Sequence, residues 1–315
     1  MTNLDSIVEW LLKGDVAIQF QVYRDLLGTN RKDLQDRIPH EGWGKQFLSK
    51  RKSNGHWGDR FYQPKWQSTH YTLLDLRYLN LNPDNKLVKA SIAQVLQTLK
   101  AEDGGIQLGP STAHRSDVCV NGMFLNYASY FQSPEKDLQS IVDSLLQEVM
   151  PDGGFNCRTT RSGAKHSSLH STISVLEGLL SFQQAGYTYR QKDIANAMQQ
   201  AEEFILLHKL FRSDHTGEII HTDFLRLSYP SRWKYDILRA LEYFRSANRK
   251  KDDSMDEALA IIVDKRNNNG TWNMQAAHPG KVHFVMEPAG APSQWNTLRA
   301  MRVLQHFAVK MWFYT

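Results

Sequence analysis

Asp103-Gly104-Gly105-Ile106 and Asp152-Gly153-Gly154-Phe155 are two nearly identical strings that begin 49 residues apart. The related string Asn54-Gly55-His56-Trp57 begins another 49 residues earlier, and Asn269-Gly270-Thr271-Trp272 follows after a longer interval. That interval contains a weaker string of the same kind, Asp214-His215-Thr216-Gly217. Aspartate, asparagine and glycine adopt the left-handed backbone that tight turns require. Their recurrence indicates an internal repeat of about 50 residues.

The segments on the two sides of each turn differ in their apolar pattern. Before the turns, apolar residues recur every three or four positions: Val88, Ile92, Val95, Leu96 and Leu99; Leu138, Ile141, Val142, Leu145 and Leu146; Ile194, Met198, Ala201 and Ile205. After the turns, residues 118–131 and 233–244 are apolar on nearly every face, and similar segments start at Trp66, Ser168 and Trp295. The first pattern predicts surface helices with one wet face, and the second predicts buried helices.

Surface helices with one solvent-exposed face that alternate with fully buried helices predict two concentric layers. Residues 7–12 and 17–27 can supply a further helix pair. We therefore predict an all-α fold, a closed (α/α)6-type double-layer toroid in which residues 1–315 form one domain of about six helical pairs. The competing architecture is an open superhelical solenoid. Its inner helices usually keep an exposed polar face, which the inner segments here almost lack.

The composition excludes several classes of function. The net charge is +5, but charges of both signs are mixed, as in Arg249-Lys250-Lys251-Asp252-Asp253. The basic cluster Lys50-Arg51-Lys52 has no aromatic residues between its charges, so we expect no nucleic-acid partner. No window approaches the roughly 18 apolar residues that a membrane span needs, and residues 1–14 do not resemble a secretory signal. Two cysteines favour a reducing compartment, and we expect a cytoplasmic protein.

The glycine-aromatic turns, together with the motif from Pro292 to Ala300, resemble the repeats of the squalene cyclase and protein prenyltransferase superfamily. The string from Ser231 to Leu241 is also similar to bacterial single-domain squalene-cyclase-like proteins, a resemblance that implies the toroid fold and no particular reaction. The Asp-x-Asp-Asp motif with which the cyclases protonate their substrate is absent. Arg51, Lys100, Val149 and Arg266 stand where the cyclase repeats have glutamine.

The resemblance to prenyltransferase β subunits implies a zinc site. Those proteins hold zinc with an Asp-x-Cys pair that starts one inner helix and a histidine that starts the next. Asp117, Cys119 and His170 match this layout, with 51 residues between the cysteine and the histidine. Ser111 and His114 replace the basic residues that hold the diphosphate in that family, and Val120 replaces an aromatic hydroxyl. These departures argue against transfer of an isoprenoid diphosphate and against an α-subunit partner.

Two further residues extend this candidate metal set. Cys157 follows the next turn closely and could supply a second thiolate, because zinc accepts thiolate, imidazole and carboxylate ligands. His166 lies four residues before His170, a spacing that suits metal binding or proton transfer if both are helical. Ser167 and Ser168 are good helix N-caps, however, and would leave His166 outside the helix. Free cysteines that act as small apolar residues are the simpler alternative.

The remaining candidates are polar or aromatic residues on the buried segments. A dense polar set either lines a cavity or forms internal ion pairs: Arg232, Lys234, Tyr235, Asp236 and Arg239. Arg299 and Arg302 could add a basic wall that favours an anionic substrate. His70 stands at the start of an earlier inner segment. Trp66, Trp233 and Trp295 could bind a carbocation or an apolar ligand through their ring faces, or could simply fill the core.

These observations lead to two hypotheses of function. The first is an enzyme with zinc at the cavity mouth, bound by Cys119, His170 and Asp117 or Cys157, where the metal activates a water or a thiol. Asp236, His166 or Tyr235 would act as the acid or base, and His70, Trp66, Arg232, Trp233, Arg239, Trp295 and Arg299 would contact a small-molecule substrate. The second is a protein that binds an isoprenoid or another apolar ligand without converting it. A scaffold with a filled core is a third alternative.

Overall fold

The computed structural model describes residues 4–109 and 115–309, and this part of the chain is mostly helical. Ser111 and His114 lie outside the described residues. The first seven α-helices are α1 (Leu4–Leu11), α2 (Val16–Asp25), α3 (Lys32–Arg37), α4 (Gly42–Leu48), α5 (Thr69–Tyr78), α6 (Lys86–Thr98) and α7 (Val118–Tyr130). The others are α8 (Glu135–Gln147), α9 (Thr159–Ser162), α10 (Leu169–Gln184), α11 (Gln191–Leu207), α12 (Ile237–Ser246), α13 (Asp256–Asp264) and α14 (Gln294–His306). The prediction of an all-α class is confirmed.

The regular structure outside these helices is short. Single 3-10 turns occur at Lys65–Gln67, Thr222–Leu225 and Asp253–Met255. Two antiparallel two-residue strands, β1 (Trp272–Asn273) and β2 (Pro292–Ser293), enclose a long loop that we call the strap, residues 274–291. The strap lies over the start of α5, because Trp66 Nε1 donates to the carbonyl of Pro279 at 2.6 Å and Gln67 Nε2 donates to that of Val282 at 2.8 Å.

The predicted turns are confirmed in their backbone geometry. Gly55, Gly104, Gly153 and Gly270 have φ angles of 86°, 84°, 89° and 83°, the left-handed region that glycine adopts without strain. The apolar residue that ends each turn string donates a hydrogen bond from its backbone N–H to a side chain early in the buried helix that follows. The acceptors are Thr69 for Trp57, Asn121 for Ile106, Thr172 for Phe155 and Thr297 for Trp272. The repeat therefore preserves a contact between each turn and the following helix.

The predicted surface helices are confirmed as α6, α8 and α11. Each buries the apolar stripe that the sequence shows, for example Leu138, Ile141, Val142 and Leu145 of α8, while its remaining face stays in water. By contrast, α7 and α10 bury residues on all sides. The difference follows from position, since a helix surrounded by other helices has no face left for solvent.

The buried helices contact one another in a regular order. Contacts run from α5 to α7, from α7 to α10, from α10 to α12, from α12 to α14 and from α14 to α2. The order returns to its beginning because Gln21 Nε2 of α2 donates to the carbonyl of Tyr78 at the end of α5, at 3.2 Å. We call these six helices, α2, α5, α7, α10, α12 and α14, the inner helices.

Two glycines allow the closest of these contacts, between α7 and α10. A Cβ atom on Gly122 would lie 2.5 Å from the carbonyl oxygen of Ser174, and one on Gly178 would lie 2.3 Å from that of Gly122. Neither position can carry a larger residue unless the backbones move apart. The two helices are thus held at a separation that only glycine permits.

The predicted extent of one buried helix is wrong. Residues 233–244 were expected to be helical throughout, but α12 begins at Ile237. Asp236 occupies the N-cap position, where its side chain accepts from the N–H of Arg239 at 2.8 Å. Trp233, Lys234 and Tyr235 therefore belong to the preceding loop, because a capping aspartate favours an extended backbone at its own position.

Candidate functional site

A cavity of about 390 Å³ lies among the inner helices, and each of the six contributes to its wall. Within the described residues its charged lining consists of six arginines and three carboxylates, an excess of three positive charges: Arg24, Arg77, Arg239, Arg245, Arg299, Arg302, Asp25, Glu177 and Glu242. Leu180 is the one aliphatic side chain among the lining residues that the structure describes. A cavity of this composition is suited to a polar ligand rather than an apolar one.

One wall of the cavity is an ion-pair network around Glu242. Arg299 Nε donates to Glu242 at 2.5 Å, and Arg302 donates to the other carboxylate oxygen. Arg302 also reaches Asp25 at 3.0 Å and so joins α14 to α2. Burial alone would raise the pKa of Glu242, but the charges and hydrogen bonds of the two arginines outweigh it and lower the pKa to about 2. Glu242 is therefore ionised at neutral pH.

A second wall is built on Glu177 of α10. Arg239 donates to both of its carboxylate oxygens, at 2.9 and 2.7 Å, in the two-pronged geometry that suits guanidinium and carboxylate. The hydroxyl of Tyr78 donates to Glu177 at 2.8 Å. Arg239 also donates to the carbonyls of Arg232 and Lys234. This arginine is fully engaged and fixes the loop before α12.

Two arginines of the lining have no carboxylate partner among residues 4–109 and 115–309. Arg77 Nε donates to the amide oxygen of Asn126 at 3.2 Å, and its guanidinium lies 4.4 Å from the centre of the Tyr130 ring. Burial lowers the pKa of Arg77. Burial, followed by the charge of Arg302, lowers the pKa of Arg245 to about 10, which still leaves it charged at neutral pH. Neither group is in ion-pair contact with a carboxylate of the described residues, although Glu177 acts electrostatically on Arg77, and Asp25 and Glu242 act on Arg245.

Three residues of the cavity lining each have an enclosed donor atom without a hydrogen-bond partner in the described part of the chain. These atoms are Arg245 Nε, Trp295 Nε1 and the hydroxyl of Tyr229. The rings of Tyr229 and Trp295 are in contact, with centroids 4.7 Å apart, and the Arg299 guanidinium lies 5.4 Å from the Tyr229 ring centre. A buried donor without an acceptor costs about 1–3 kcal/mol, and three further unpartnered atoms of the described residues, in His70, Ser129 and Trp233, lie outside this lining.

Three of the residues predicted to contact a substrate line this cavity, namely Arg239, Trp295 and Arg299. Arg302, predicted to extend a basic wall, lies there too. The other predicted residues lie at or before the starts of the inner helices and outside the cavity lining. The structure thus divides the predicted set between two locations.

Trp66 and His70 are packed into the core near the start of α5. His70 is fully buried, its Nδ1 lies 3.1 Å from the hydroxyl of Tyr127, and burial lowers its pKa to about 3. Its Nε2 has no partner within the described part of the chain. Trp66 Nε1 is used by the strap, as described above. Both residues act as core packing here.

Arg232 forms a buried ion pair with Asp75 of α5. The two atoms that face each other, Arg232 Nη1 and Asp75 Oδ2, are 2.5 Å apart, and the side chains are 5% and 3% exposed. Of the two interpretations of the polar set at 232–239, the internal ion pair describes Arg232, while Arg239 is both ion-paired and part of the cavity wall.

The three predicted acid–base residues occupy separate places. Asp236 is the cap of α12, and burial raises its pKa. The hydroxyl of Tyr235 donates to the carbonyl of Leu210 at 2.6 Å. His166 is exposed and precedes α10, which starts at Leu169, so it does not share a helical face with His170. Trp233 packs edge-on against His170, with ring centroids 5.0 Å apart.

The four predicted zinc ligands lie near the starts of α7 and α10. Asp117 is at the N-cap position of α7 and Cys119 is in its first turn. The N–H of Cys157 donates to Ser171 at 3.1 Å. His170 Nδ1 accepts from the N–H of Tyr235 at 2.8 Å, and burial, followed by the charge of Lys234, lowers its pKa to about 3.

The described part of the chain, which includes these four residues, has no group of three or more His, Cys, Asp or Glu residues arranged to hold a metal ion. We therefore derive no chemical step through a metal, and zinc binding stays a prediction.

Elemental analysis tests the zinc hypothesis directly. If the Asp117, Cys119 and His170 set binds zinc, the purified protein reconstituted with Zn²⁺ retains about one equivalent after dialysis, and Cys119→Ser loses it because one of the three protein ligands is gone. Met123→Leu, on the same helix, serves as the control for a general effect of substitution. Zinc that is absent, or equally retained by Cys119→Ser, removes this ligand set.

Most of the charged residues that line the cavity were not predicted from the sequence, in particular Arg24, Arg77, Glu177, Glu242 and Arg245. A signal for them exists: each is a charged residue within a largely apolar helix, and such a charge must be paired or must face water. The residues predicted on that ground were those at 232–239, together with Arg299 and Arg302. Applied to every inner helix, that argument would have indicated the same cavity.

The chain matches no protein-family model and no curated protein. The resemblance to the toroid superfamily therefore rests on the turn and helix motifs quoted above. Within the described residues, no helix has both the length and the apolar character needed to span a membrane.

Proposed function

We propose that this protein binds an anionic small molecule in the arginine-lined cavity, and that the six inner helices form the inner wall of a closed α/α toroid. The toroid is supported by the order of helix contacts, which starts at α5 and returns to it through α14 and α2. The first and last helices, α1 and α14, are also in contact. An open solenoid would leave its terminal repeats far apart.

The observation that carries the binding proposal is the uneven charge of the cavity lining, which has six arginines and three carboxylates among the described residues. The excess of arginines over carboxylates in the same lining favours a ligand with negative charge. The expectation of a basic wall around Arg299 and Arg302 supports the same conclusion.

A structural explanation of the arginines competes with this proposal. Arg24, Arg77 and Arg245 stand in the last turns of α2, α5 and α12, where a helix carries about half a negative charge. Five inner helices have their last turn in the described lining, and these helix ends would offset about two to three positive charges, close to the excess there. The two accounts differ in one testable respect, because only the binding proposal predicts that an anion occupies the cavity.

The lining favours binding of a polar ligand over the two earlier hypotheses. An isoprenoid would need a mostly apolar wall, whereas the described lining combines one aliphatic and five aromatic side chains with nine charged ones. For proton transfer at neutral pH a carboxyl group should titrate near 7, but Asp25 and Glu242 have pKa values below the usual range because arginines donate to them. Recognition of an anion needs only the charges and donors already present.

Isothermal titration with inorganic phosphate tests the proposal. We expect the unmodified protein to bind phosphate, and Arg245→Gln to bind it about ten- to hundredfold more weakly, because a hydrogen bond to a charged group is lost. Arg37→Gln is the matched control: Arg37 also stands in the last turn of a helix, but it is exposed and pairs with Glu41. All titrations are made at one ionic strength, since general screening weakens any charge interaction.

The two accounts of the arginines give different results. If Arg245→Gln unfolds more easily but binds phosphate as the unmodified protein does, the arginines serve the helix ends and the binding proposal is wrong. If no anion of a panel of phosphate, sulfate and citrate binds the unmodified protein, the proposal is likewise wrong.

A further inference from the structure

We propose that the cavity binds a short dicarboxylate, with one carboxylate group at Arg77 of α5 and the other at Arg245 of α12. This inference rests on the proposed function and adds the chemical class of the ligand. It depends on the free nitrogen atoms of these two arginines, on their equivalent positions in two helices, and on the place of those helices among the inner helices.

Arg77 and Arg245 differ from other arginines of the lining in how their nitrogen atoms are used. Arg24, Arg239 and Arg302 donate from every guanidinium nitrogen to an acceptor of the protein. Nη1 and Nη2 of Arg77 and Nη1 of Arg245 have no acceptor among the described residues, and they are not among the enclosed unpartnered atoms. Because both residues line the cavity, these atoms are available to a ligand there.

The two helices that carry these arginines end in the same way. Asn80 after α5 and Asn248 after α12 have φ angles of 59° and 53°. The N–H of each asparagine donates at 3.0 Å to the carbonyl of the arginine three residues earlier. A left-handed residue after the last turn is a common ending for a helix. Arg77 and Arg245 are thus the next-to-last residues of α5 and α12 and lie at equivalent positions.

Helices α5 and α12 are separated in the order of inner-helix contacts. In one direction α7 and α10 lie between them, and in the other direction α14 and α2 do. The nearby carboxylates differ accordingly, since Glu177 acts electrostatically on Arg77. Asp25 and Glu242 act on Arg245. The two guanidinium groups therefore stand apart in the lining, and they match a ligand whose two anionic groups are also apart.

The size of the cavity suits a ligand larger than one anionic group. Its volume of about 390 Å³ equals that of about thirteen water molecules in the liquid, at about 30 Å³ each. A single phosphate or carboxylate group would leave most of this space to water and would contact only one of two separate guanidinium groups. A short chain with a carboxylate at each end contacts both. Carboxylate suits guanidinium because the two planar groups form parallel hydrogen bonds.

The experiment is a set of isothermal titrations of the full chain at one ionic strength, with acetate, malonate, succinate, glutarate, adipate, inorganic phosphate and pyrophosphate as probes. We expect the affinity of the dicarboxylates to pass through a maximum as their chain lengthens, because only one range of lengths spans the two arginines. The best of them should bind about tenfold or more tightly than acetate and phosphate, the gain from a second hydrogen-bonded contact between charged groups.

Two variants test the two ends of the site separately. Arg77→Gln and Arg245→Gln should each weaken the best dicarboxylate about tenfold or more, since each removes one of the two charged contacts. Inorganic phosphate has one anionic group, so Arg245→Gln should weaken it as described above and Arg77→Gln by less than about threefold. Arg37→Gln again serves as the control, and near-ultraviolet circular dichroism confirms that each variant is folded.

The outcomes distinguish this inference from the proposed function. If acetate or phosphate binds as tightly as every dicarboxylate, or if Arg77→Gln leaves the best dicarboxylate unaffected or weakens phosphate equally, the ligand class is wrong while anion binding stands. If pyrophosphate binds more tightly than every dicarboxylate, the assignment of carboxylate groups is wrong. If none of the anions binds, both proposals are wrong.

Discussion

Glu242→Gln is expected to lower the free energy of unfolding by about 3–5 kcal/mol. The carboxylate of Glu242 is shared by Arg299 and Arg302, whose side chains are 3% and 11% exposed. An amide cannot compensate two buried guanidinium charges, and this uncompensated charge is the cause of the loss. Urea denaturation at neutral pH measures the effect. Glu41→Gln is the control, because it breaks an exposed pair with Arg37 and should leave the unfolding midpoint nearly unchanged.

The same substitution has a defined dependence on pH. The pKa of Glu242 is about 2 in the folded protein and 4.5 in the reference state, so its contribution to stability is complete above pH 4.5. That contribution decreases as the pH falls through the interval from 4.5 to about 2. The difference between the unmodified protein and Glu242→Gln should therefore shrink over this interval. A difference that stays constant from pH 7 to pH 3 would contradict the assignment.

Arg232→Met is the second substitution for which we expect a large effect, again a loss of about 3–5 kcal/mol. It leaves the carboxylate of Asp75, which is 3% exposed, without its partner in the core. Burial already raises the pKa of Asp75 although the charge of Arg232 opposes it, so removal of Arg232 raises that pKa further. Denaturation at several pH values should show the loss becoming smaller toward acid, where the carboxyl group takes up a proton.

A double variant separates the contribution of the ion pair to stability from the contribution of side-chain packing. Arg232→Met with Asp75→Asn removes both charges, so it should be more stable than Arg232→Met alone. If the double variant is no more stable than the single one, the loss comes from packing of the arginine side chain against Trp66 and Tyr71, whose ring centres lie 5.6 and 5.9 Å from its guanidinium carbon.

Features that depend on neighbouring residues could be predicted from the sequence. The turns at Gly104 and Gly153 and the buried stripe of α8 follow from local backbone preference and helical spacing, and the structure confirms them. The predicted start of α12 was wrong. The apolar pattern continues across Asp236, but the helix begins after this residue because its side chain caps the helix. Closure of the toroid depends on contacts between distant segments, which periodicity does not report, and it remains a proposal.

For the candidate site, too, features that depend on contacts between distant segments could not be predicted from the sequence. Arg239, Trp295 and Arg299 were predicted to contact a ligand, and all three line the cavity. Arg77 and Arg245 were not predicted, because the expected zinc ligands favoured residues at the starts of the inner helices. The sequence shows that these two arginines stand in apolar helices. It does not show that they are left without carboxylate partners, because pairing depends on which helices are adjacent.

The contact between Arg302 and Asp25 joins residues 277 positions apart in the chain. Trp295, Arg299 and Arg302, which complete the cavity, all belong to the last helix, α14. During synthesis on the ribosome, the cavity cannot form until that helix emerges, and until then Arg24 of α2 and Arg77 of α5, which are half-buried in the finished protein, are exposed to water. A metabolite that binds the finished cavity would stabilise the native chain by mass action and so act as its chemical chaperone, linking the amount of folded protein in a cell to the supply of its ligand.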